Sequence, residues 1–119
     1  MSIEADIVAV VGPLCGARCY PDFAPANVAR PYVTYSQVGG ASVNPLSGSA
    51  PHMELARIQF NVWADSRIAS SELMRQIETA LRLNPLAGQP AGALIARSEE
   101  PLSLYGAQQD FAFWWHPVT

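Results

Sequence analysis

The amino-acid sequence predicts a single small α+β domain with a mainly antiparallel sheet, two helices packed on one face, and the element order α-β-β-β-α-β-β. Three observations support this fold class. Residues 54–63 alternate between apolar and polar side chains, as a strand with one buried face does. An apolar stripe with a period near 3.6 follows directly, which indicates a helix that lies back over that face. With 119 residues, half of them hydrophobic, the chain can build one core without metals or disulfides.

The central strand is the most clearly patterned element. One face carries the apolar side chains Ala56, Ile58, Phe60 and Val62, and the other carries Arg57, Gln59 and Asn61. A register slip of one residue would bury an arginine, so the pairing of this strand is strongly specified. The alternation ends at residues 64–66, and the helical stripe begins at Ala69.

Helical spacing also marks the N-terminal segment. Ser2 can cap a first helix, and apolar residues then recur on one side of the chain. We expect this helix to end near Val11, because the proline of Gly12-Pro13 lacks a backbone donor and crowds the preceding turn.

A second strand and a long loop follow. A short extended piece at residues 18–20 precedes the strand, which the aromatic and β-branched residues of 32–38 predict. Gly39-Gly40 is expected to end it. Residues 40–53 are then mostly small, polar or proline, so we expect a long, flexible and exposed loop. A loop of this length in a compact domain is usually functional or disordered.

The second helix is expected to end at Asn84-Pro85. Its outer side, which includes Arg75, Glu78 and Arg82, has the spacing of a solvated helix face. The remaining predicted elements are a turn at 86–92, a short strand at 93–98 and a long strand at 104–115.

The last strand carries aromatic side chains on both faces. Its core-facing set is Tyr105, Ala107, Phe111, Phe113 and Trp115. Trp114 falls on the opposite face, where it needs a cover, because burying an aromatic side chain is worth on the order of 2–3 kcal/mol. Two alternatives remain for what covers Trp114. One is the chain's own N-terminal helix or a loop, and the other is a neighbouring subunit.

Charge and hydropathy argue against several classes of function. The net charge is −3, with seven arginines and no lysine, and no basic patch is available for sequence-independent nucleic-acid binding. The N-terminal apolar run follows Glu4 and Asp6, where a signal peptide would carry basic residues. No segment approaches the roughly 20 apolar residues of a membrane span. We therefore expect a soluble protein made in a cytoplasm.

The sequence offers no catalytic or metal-binding motif. Cys15 and Cys19 are four positions apart, which is not the C-x-x-C spacing, and reduced structural thiols are the better interpretation. Glu99-Glu100 are neighbours in an extended segment, so their side chains point to opposite faces and cannot bracket one substrate. We predict a protein that is not an enzyme and uses no metal or cofactor.

Four segments carry a resemblance to a known family: RCYPD at 18–22, RPYVTY at 30–35, ARIQFNVW at 56–63 and QDF at 109–111. In order and spacing, over nearly the whole chain, they resemble the tail-completion or tail-terminator proteins of long-tailed, siphovirus-like phages and prophages. The resemblance implies that residues 1–119 form one tail-terminator-like domain without catalytic activity.

The resemblance also implies a place in the virion. Tail terminators assemble as a ring, typically of six copies, on the head-proximal end of the tail tube. There the ring stops tube growth and provides the docking surface for the head connector. The expected partners are therefore further copies of this chain, the tail tube protein and the head-tail connector or stopper protein. Genomic DNA would pass through the lumen without specific binding, and assembly would take place in the bacterial host cytoplasm.

A ring requires contacts in which one surface of a subunit meets a different surface of the next. The candidate interface residues are Val43, Leu46 and His52 of the long loop, Arg57, Gln59 and Asn61 of the polar strand face, and Trp114. We expect the loop to be mobile in the free protein and ordered on assembly, because segments that fold on a partner are a common route to sequential assembly.

Two other functions stay open at this point. The first is another ring of the same neck, such as a head-completion or stopper protein. The second belongs to a different class, a small-ligand-binding α+β domain that uses a cavity between the sheet and the helices.

Overall fold

The computed structural model describes residues 3–42, 54–83 and 86–115 and confirms the predicted α+β class. Helices α1 and α2 span Ile3–Val11 and Arg67–Leu81. Within the described ranges the strands are β1 Cys19–Pro21, β2 Tyr32–Ser42, β3 Glu54–Ala64, β4 Gln89–Pro90, β5 Ile95–Glu99 and β6 Leu104–Trp115. Short 3-10 turns, Gly12–Leu14 and Glu100–Leu102, follow α1 and precede β6. No helix in these ranges is long and apolar enough to cross a bilayer.

The strands form one mixed sheet in the order β1-β2-β3-β6, with β4 and β5 both on the outer edge of β6. β4 pairs with residues 111–112 of β6, and β5 pairs with residues 104–108. β1 runs parallel to β2, and the other pairings are antiparallel. The mainly antiparallel sheet is therefore confirmed, and β4 is an additional short strand inside the turn predicted at 86–92.

β3 lies between β2 and β6, and its predicted alternation is confirmed. Its buried side chains are Ala56, Ile58, Phe60 and Val62, whereas Arg57 is exposed. The ring of Phe60 meets the ring of Phe111 edge to face, with 5.6 Å between centroids. Such a pair contributes about 0.5–1.5 kcal/mol beyond the burial of its area. β3 therefore supplies the middle of the hydrophobic core.

Both helices pack against the buried face of the sheet, as predicted. Their buried apolar side chains join one cluster: Ile3, Ile7 and Val11 from α1, and Leu73, Met74, Ile77 and Leu81 from α2. α1 ends at Val11, where Gly12-Pro13 predicts its end. α2 begins after Ser66, whose hydroxyl oxygen accepts a hydrogen bond from the backbone N–H of Ala69 at 3.1 Å. A cap of this kind stabilises a helix by about 1 kcal/mol.

β2 continues beyond the end that its glycines predict. The sequence placed its end at Val38, but the strand runs through Gly39-Gly40 to Ser42. A register shift between Gln37 and Gly39 marks a β-bulge, which absorbs one extra residue and bends the strand. Gly40 has φ +142° and lies so close to the backbone of Leu55 that a Cβ atom has no room there. The glycine therefore allows close approach of two strands and does not end one.

Tyr105 also differs from its predicted position. The period of two placed it with the core-facing residues of β6, but 37% of its surface is exposed. Tyr105 pairs with Ala64, the last residue of β3, and with Ser98 of β5. It therefore lies at the end of the sheet, beyond the centre of the core that Phe60 and Phe111 fill. The other predicted members, Ala107, Phe111, Phe113 and Trp115, belong to the core or pack against it.

Arg30 joins three segments at that same end of the sheet. Its guanidinium forms an ion pair with Asp65, with 3.0 Å between Nη1 and Oδ1. It also donates hydrogen bonds to the backbone carbonyls of Leu102 and Ser103, at 3.0 and 3.2 Å. Because Asp65 lies between β3 and α2, one side chain holds the entries to β2, α2 and β6 together.

Both cysteines are free and buried, which agrees with the reduced structural thiols predicted. The Cys15 thiol donates to the backbone carbonyls of Val11 and Gly12, each at 3.6 Å. Burial raises the pKa of the Cys15 thiol. Burial, with a smaller contribution from nearby Cys15, raises the pKa of Cys19 to about 12. At neutral pH neither thiol has the ionised character that reactivity requires.

Phe60→Ala is expected to lower the free energy of unfolding by about 3–5 kcal/mol, because it leaves a cavity beside Phe111. Phe23→Ala is the matched control, since the side chain of Phe23 is 87% exposed, and it should change stability by no more than about 0.5 kcal/mol. Urea denaturation followed by tryptophan fluorescence measures both. Equal transition midpoints for the two variants would contradict the central place of Phe60.

The thiols of Cys15 and Cys19 should react with a thiol reagent at pH 8 about a hundredfold more slowly in the native protein than in denaturant. Because the folded state holds these protons more tightly, unfolded thiols ionise first above their ordinary pKa of 9.0. The free energy of unfolding should therefore fall as pH rises past that value. Fast labelling of the native protein would show that the thiols are accessible.

Candidate interaction surface

The sheet has one face covered by helices and one face that they leave uncovered. We call the second the open face, and it comprises Leu55, Arg57, Gln59, Asn61 and Trp63 of β3 and Gln108, Asp110, Ala112 and Trp114 of β6. Both helices belong to the cluster on the other side. The sequence correctly predicted that Arg57, Gln59, Asn61 and Trp114 point away from the core.

The centre of the open face is charged but internally neutralised. Arg57 donates from Nε to Oδ2 of Asp110 across the β3–β6 pair, at 2.9 Å. Arg57 remains about half exposed, so the pair contributes about 0.2–1 kcal/mol to stability. Its larger effect is on the surface, because it leaves the face with little net charge. The sequence showed Arg57 there but not its partner, since 53 positions separate the two residues.

Asn61 carries an unsatisfied acceptor in the same face. Its Oδ1 atom is buried and accepts no hydrogen bond from the described part of the chain. Its neighbours across the sheet are Thr34 of β2 and Gln108 of β6. A buried polar atom without a partner costs about 1–3 kcal/mol. Because Oδ1 is enclosed by the described chain, this cost falls on the fold, and another molecule would reach the atom only after the side chain turns outward.

Trp114 lies at one end of the open face and is 55% exposed. It pairs with Leu55, which in turn pairs with Ala41 of β2, so three apolar residues lie in one row. We call this row the apolar end. α1 packs on the opposite side of the sheet, so the helix is excluded as the cover of Trp114, and a loop or a neighbouring subunit remains. The candidate residues Val43, Leu46 and His52 and the loop at 40–53 lie outside the described residues, apart from the end of β2.

A second feature lies at the lateral edge formed by β4 and β5. It is a cleft of about 280 Å³ between α2 and the β4–β5 connection, which we call the edge cleft. Its lining residues are Arg75, Glu78 and Arg82 of α2, Pro90 of β4, Gly92, Ala93 and Leu94 of the connection, and Gln109 of β6.

Gln109 organises the floor of the edge cleft. It is buried, and its Nε2 atom donates to Oε1 of Glu78 at 3.1 Å and to the carbonyl of Gly92 at 3.0 Å. Glu78, predicted on a wholly solvated helix face, is therefore held against β6, while Arg82 approaches it at 4.0 Å. Gln109 was missed by sequence reasoning, although a polar residue among the core-facing positions of β6 is the signal that pointed to it.

The described residues can also be compared with the requirements of a metal site and of a carboxylate pair. Within residues 3–42, 54–83 and 86–115, no three His, Cys, Asp or Glu side chains are grouped as a metal site requires. Glu99 ends β5 and Glu100 begins the 3-10 turn, and both are exposed.

A small α+β domain with an uncovered sheet face, an exposed tryptophan and an edge cleft has the character of a structural subunit that acts by contact. The profile of the tail completion protein gp17 family matches residues 4–116, and the chain belongs to this family. The family is structural and non-enzymatic. The protein is thus a tail completion protein of a phage-like virion, which confirms the resemblance and the prediction that it is not an enzyme.

The fold is also that of a virion component. A chain of the solved structure "Virion of native gene transfer agent (GTA) particle" superposes with a TM-score of 0.57 and 19% sequence identity. The alignment covers 94% of this chain and 87% of the other. At this identity the likeness is one of fold. No curated protein sequence is significantly similar to the chain.

Proposed function

We propose that the protein forms a ring, with six copies the expected number, on the head-proximal end of the tail tube. There it ends tube polymerisation and presents the docking surface for the head connector. Membership of the tail completion family supports the location. The observation that carries the proposal is Trp114, which stands 55% exposed on a sheet face that neither helix covers.

The chemistry of the open face suits a protein contact. Exposed tryptophans commonly supply a large share of binding free energy at protein interfaces. Around Trp114, Leu55 adds apolar area, and the Arg57–Asp110 pair leaves little net charge to desolvate. Rotation of the Asn61 side chain toward a partner would give its unpaired Oδ1 atom a hydrogen bond. Arg57, Gln59, Asn61 and Trp114 therefore form the core of the proposed contact surface.

The strands that flank the long loop end beside the same surface. The described strands lead into it at Ser42 and out of it at Glu54, which pair with each other next to the row of Trp114. We propose that Val43, Leu46 and His52, which lie outside the described residues, extend this contact to the tail tube or to a neighbouring subunit. Ordering of the loop on assembly would make the contact dependent on the partner.

The charge of the ring fits passage of DNA through its lumen. Each chain carries a net charge of −3, so six copies at −3 each carry −18. A ring of this sign does not provide the concentration of positive charge that grips phosphates. We propose that DNA slides through without specific binding.

Deletion of the gene tests the place of the ring. A terminator ends polymerisation, so its loss should give abnormally long tail tubes, with heads left unjoined. Electron microscopy of lysates measures the tube lengths, and the gene restored on a plasmid should return them to normal. Tubes of normal length that merely lack heads would instead assign the protein to a head-side completion or stopper ring.

Trp114→Ala should weaken assembly on tail tubes by about thirtyfold, as truncation of an interface hot spot of about 2 kcal/mol does. The fold should be retained because the side chain is largely exposed. Light scattering with purified tube protein gives the concentration at which rings form. Ile68→Ala is the matched control, since Ile68 is 71% exposed at the start of α2, on the helix side. Equal assembly of both variants would remove Trp114 from the interface.

A further inference from the structure

We propose that neighbouring copies in the ring dock through opposite edges of the sheet, with the Asp22-Phe23 corner of one copy seated in the edge cleft of the next. This inference rests on the proposed ring and names the two surfaces that close it. Neither surface belongs to the open face, so the neighbour contact and the contact made through Trp114 use different parts of the subunit.

The corner is an aromatic side chain held outward by its own backbone. Phe23 lies two residues beyond the end of β1 and is 87% exposed, the highest value among the exposed large hydrophobic residues of the described chain. The backbone N–H of Asp22 donates to the carbonyl of Tyr35 at 2.8 Å, and that of Phe23 donates to the carbonyl of Pro21 at 2.7 Å. The first bond ties the corner to β2, and the second turns it back on the end of β1. Because its backbone is already ordered, docking costs less conformational entropy.

The edge cleft offers an apolar lining and positive charge to the acidic, aromatic corner. Pro90 and Leu94 provide apolar lining, and the guanidinium groups of Arg75 and Arg82 stand beside it. Glu78, the cleft's carboxylate, is already engaged by Gln109 at 3.1 Å. Arg75 forms no ion pair in the described part of the chain. The cleft therefore keeps a net positive charge.

The two surfaces are complementary in charge and in the kinds of contact that their side chains make. A guanidinium attracts the face of an aromatic ring, so an arginine of the cleft can stack on Phe23. The carboxylate of Asp22, immediately beside that ring, is a strong acceptor for the second guanidinium. An acidic-aromatic corner thus meets a basic-apolar cleft, which favours a second copy of this chain as the occupant.

The sheet register places both surfaces at the same level. Pro21, just before the corner, pairs with Tyr35; Tyr35 pairs with Phe60; and Phe60 pairs with Gln109 in the floor of the cleft. Corner and cleft therefore lie at the two ends of one cross-strand row. Copies set side by side, without a shift along the strands, would bring one to the other.

This arrangement favours a ring over a two-fold dimer. Between the outer strands the sheet spans four strand spacings, roughly 19 Å at about 4.8 Å each. A single two-fold interface would have to contain both the corner and the cleft of each copy, which opposite edges do not allow. A contact of corner to cleft is heterologous, so it repeats from copy to copy until the ring closes.

Disulfide trapping tests the contact directly. In Ala24→Cys/Ala93→Cys, one new thiol lies on the corner beside Phe23, whose ring is kept, and the other lies on the rim of the cleft. Mild oxidation of the protein assembled on tail tubes should give a ladder of disulfide-linked chains. The largest product should contain as many chains as the ring. The two buried native cysteines give little background. Ala24→Cys/Ile68→Cys, whose second thiol is exposed but outside the cleft, is the control and should give no ladder.

A double-mutant cycle tests the charge pair. Asp22→Asn and Arg75→Gln should each raise the concentration needed for ring formation by about fivefold, and both together by no more than either alone, because the paired groups are coupled. Asparagine keeps the left-handed backbone of residue 22, where φ is +62°. Arg67→Gln, an exposed arginine of α2 that does not line the cleft, is the control and should leave assembly unchanged.

The outcomes separate this inference from the proposed function. Rings that form normally but give no ladder, with additive effects of the two charge substitutions, overturn the corner-to-cleft contact and leave the ring intact. Wild-type protein that forms no ring on tail tubes overturns the ring itself. A ladder confined to Ala24→Cys/Ala93→Cys supports both.

Discussion

Burial of one face of β3 is the constraint on which the rest of this structure depends. β3 is hydrogen-bonded on both sides, to β2 and β6, so its alternation sets which side of three strands faces the helices. Phe60 fills the middle of that side and contacts the ring of Phe111. A slip of one residue would move Arg57 into the core, at the cost of burying an unpaired charge. The same alternation that builds the core therefore leaves the opposite face polar and uncovered.

The residues that stabilise the fold are largely different from those that are free to contact other chains. The helices, the buried half of the sheet and the anchoring of three loops by Arg30 hold the fold. The open face and the two lateral edges take little part in that work and are available to other chains. Only 14% of the residues are charged, against roughly 25% in an average globular domain, so these surfaces cost less to desolvate. This division is what a subunit of a tail completion assembly needs.

A ring subunit must meet like copies and unlike partners at once. In the arrangement proposed above, the lateral edges serve the neighbouring copies, and the open face with its apolar end serves the tail tube or the connector. The edges are suited to this because the sheet is open: β1 ends it on one side, and β4 and β5 end it on the other. The two edges carry different side-chain features, Phe23 beside β1 and the cleft beside β4 and β5, and the proposed arrangement assigns each of them to a different neighbouring copy.

The sequence by itself determined the elements whose signal is local. The period of two in β3, the period near 3.6 in α2 and the break at Gly12-Pro13 depend only on residues close in the chain, and they correctly predicted the open face and the class of fold. Tertiary structure alone decided the parallel pairing of β1, the passage of β2 through Gly40, the exposure of Tyr105 and the engagement of Glu78 by Gln109. Each of these depends on a residue brought near by folding across many positions of the chain. Periodic patterns in the sequence do not show how closely two backbones approach. Nor do they show where a neighbouring strand ends or which partner a buried side-chain amide finds.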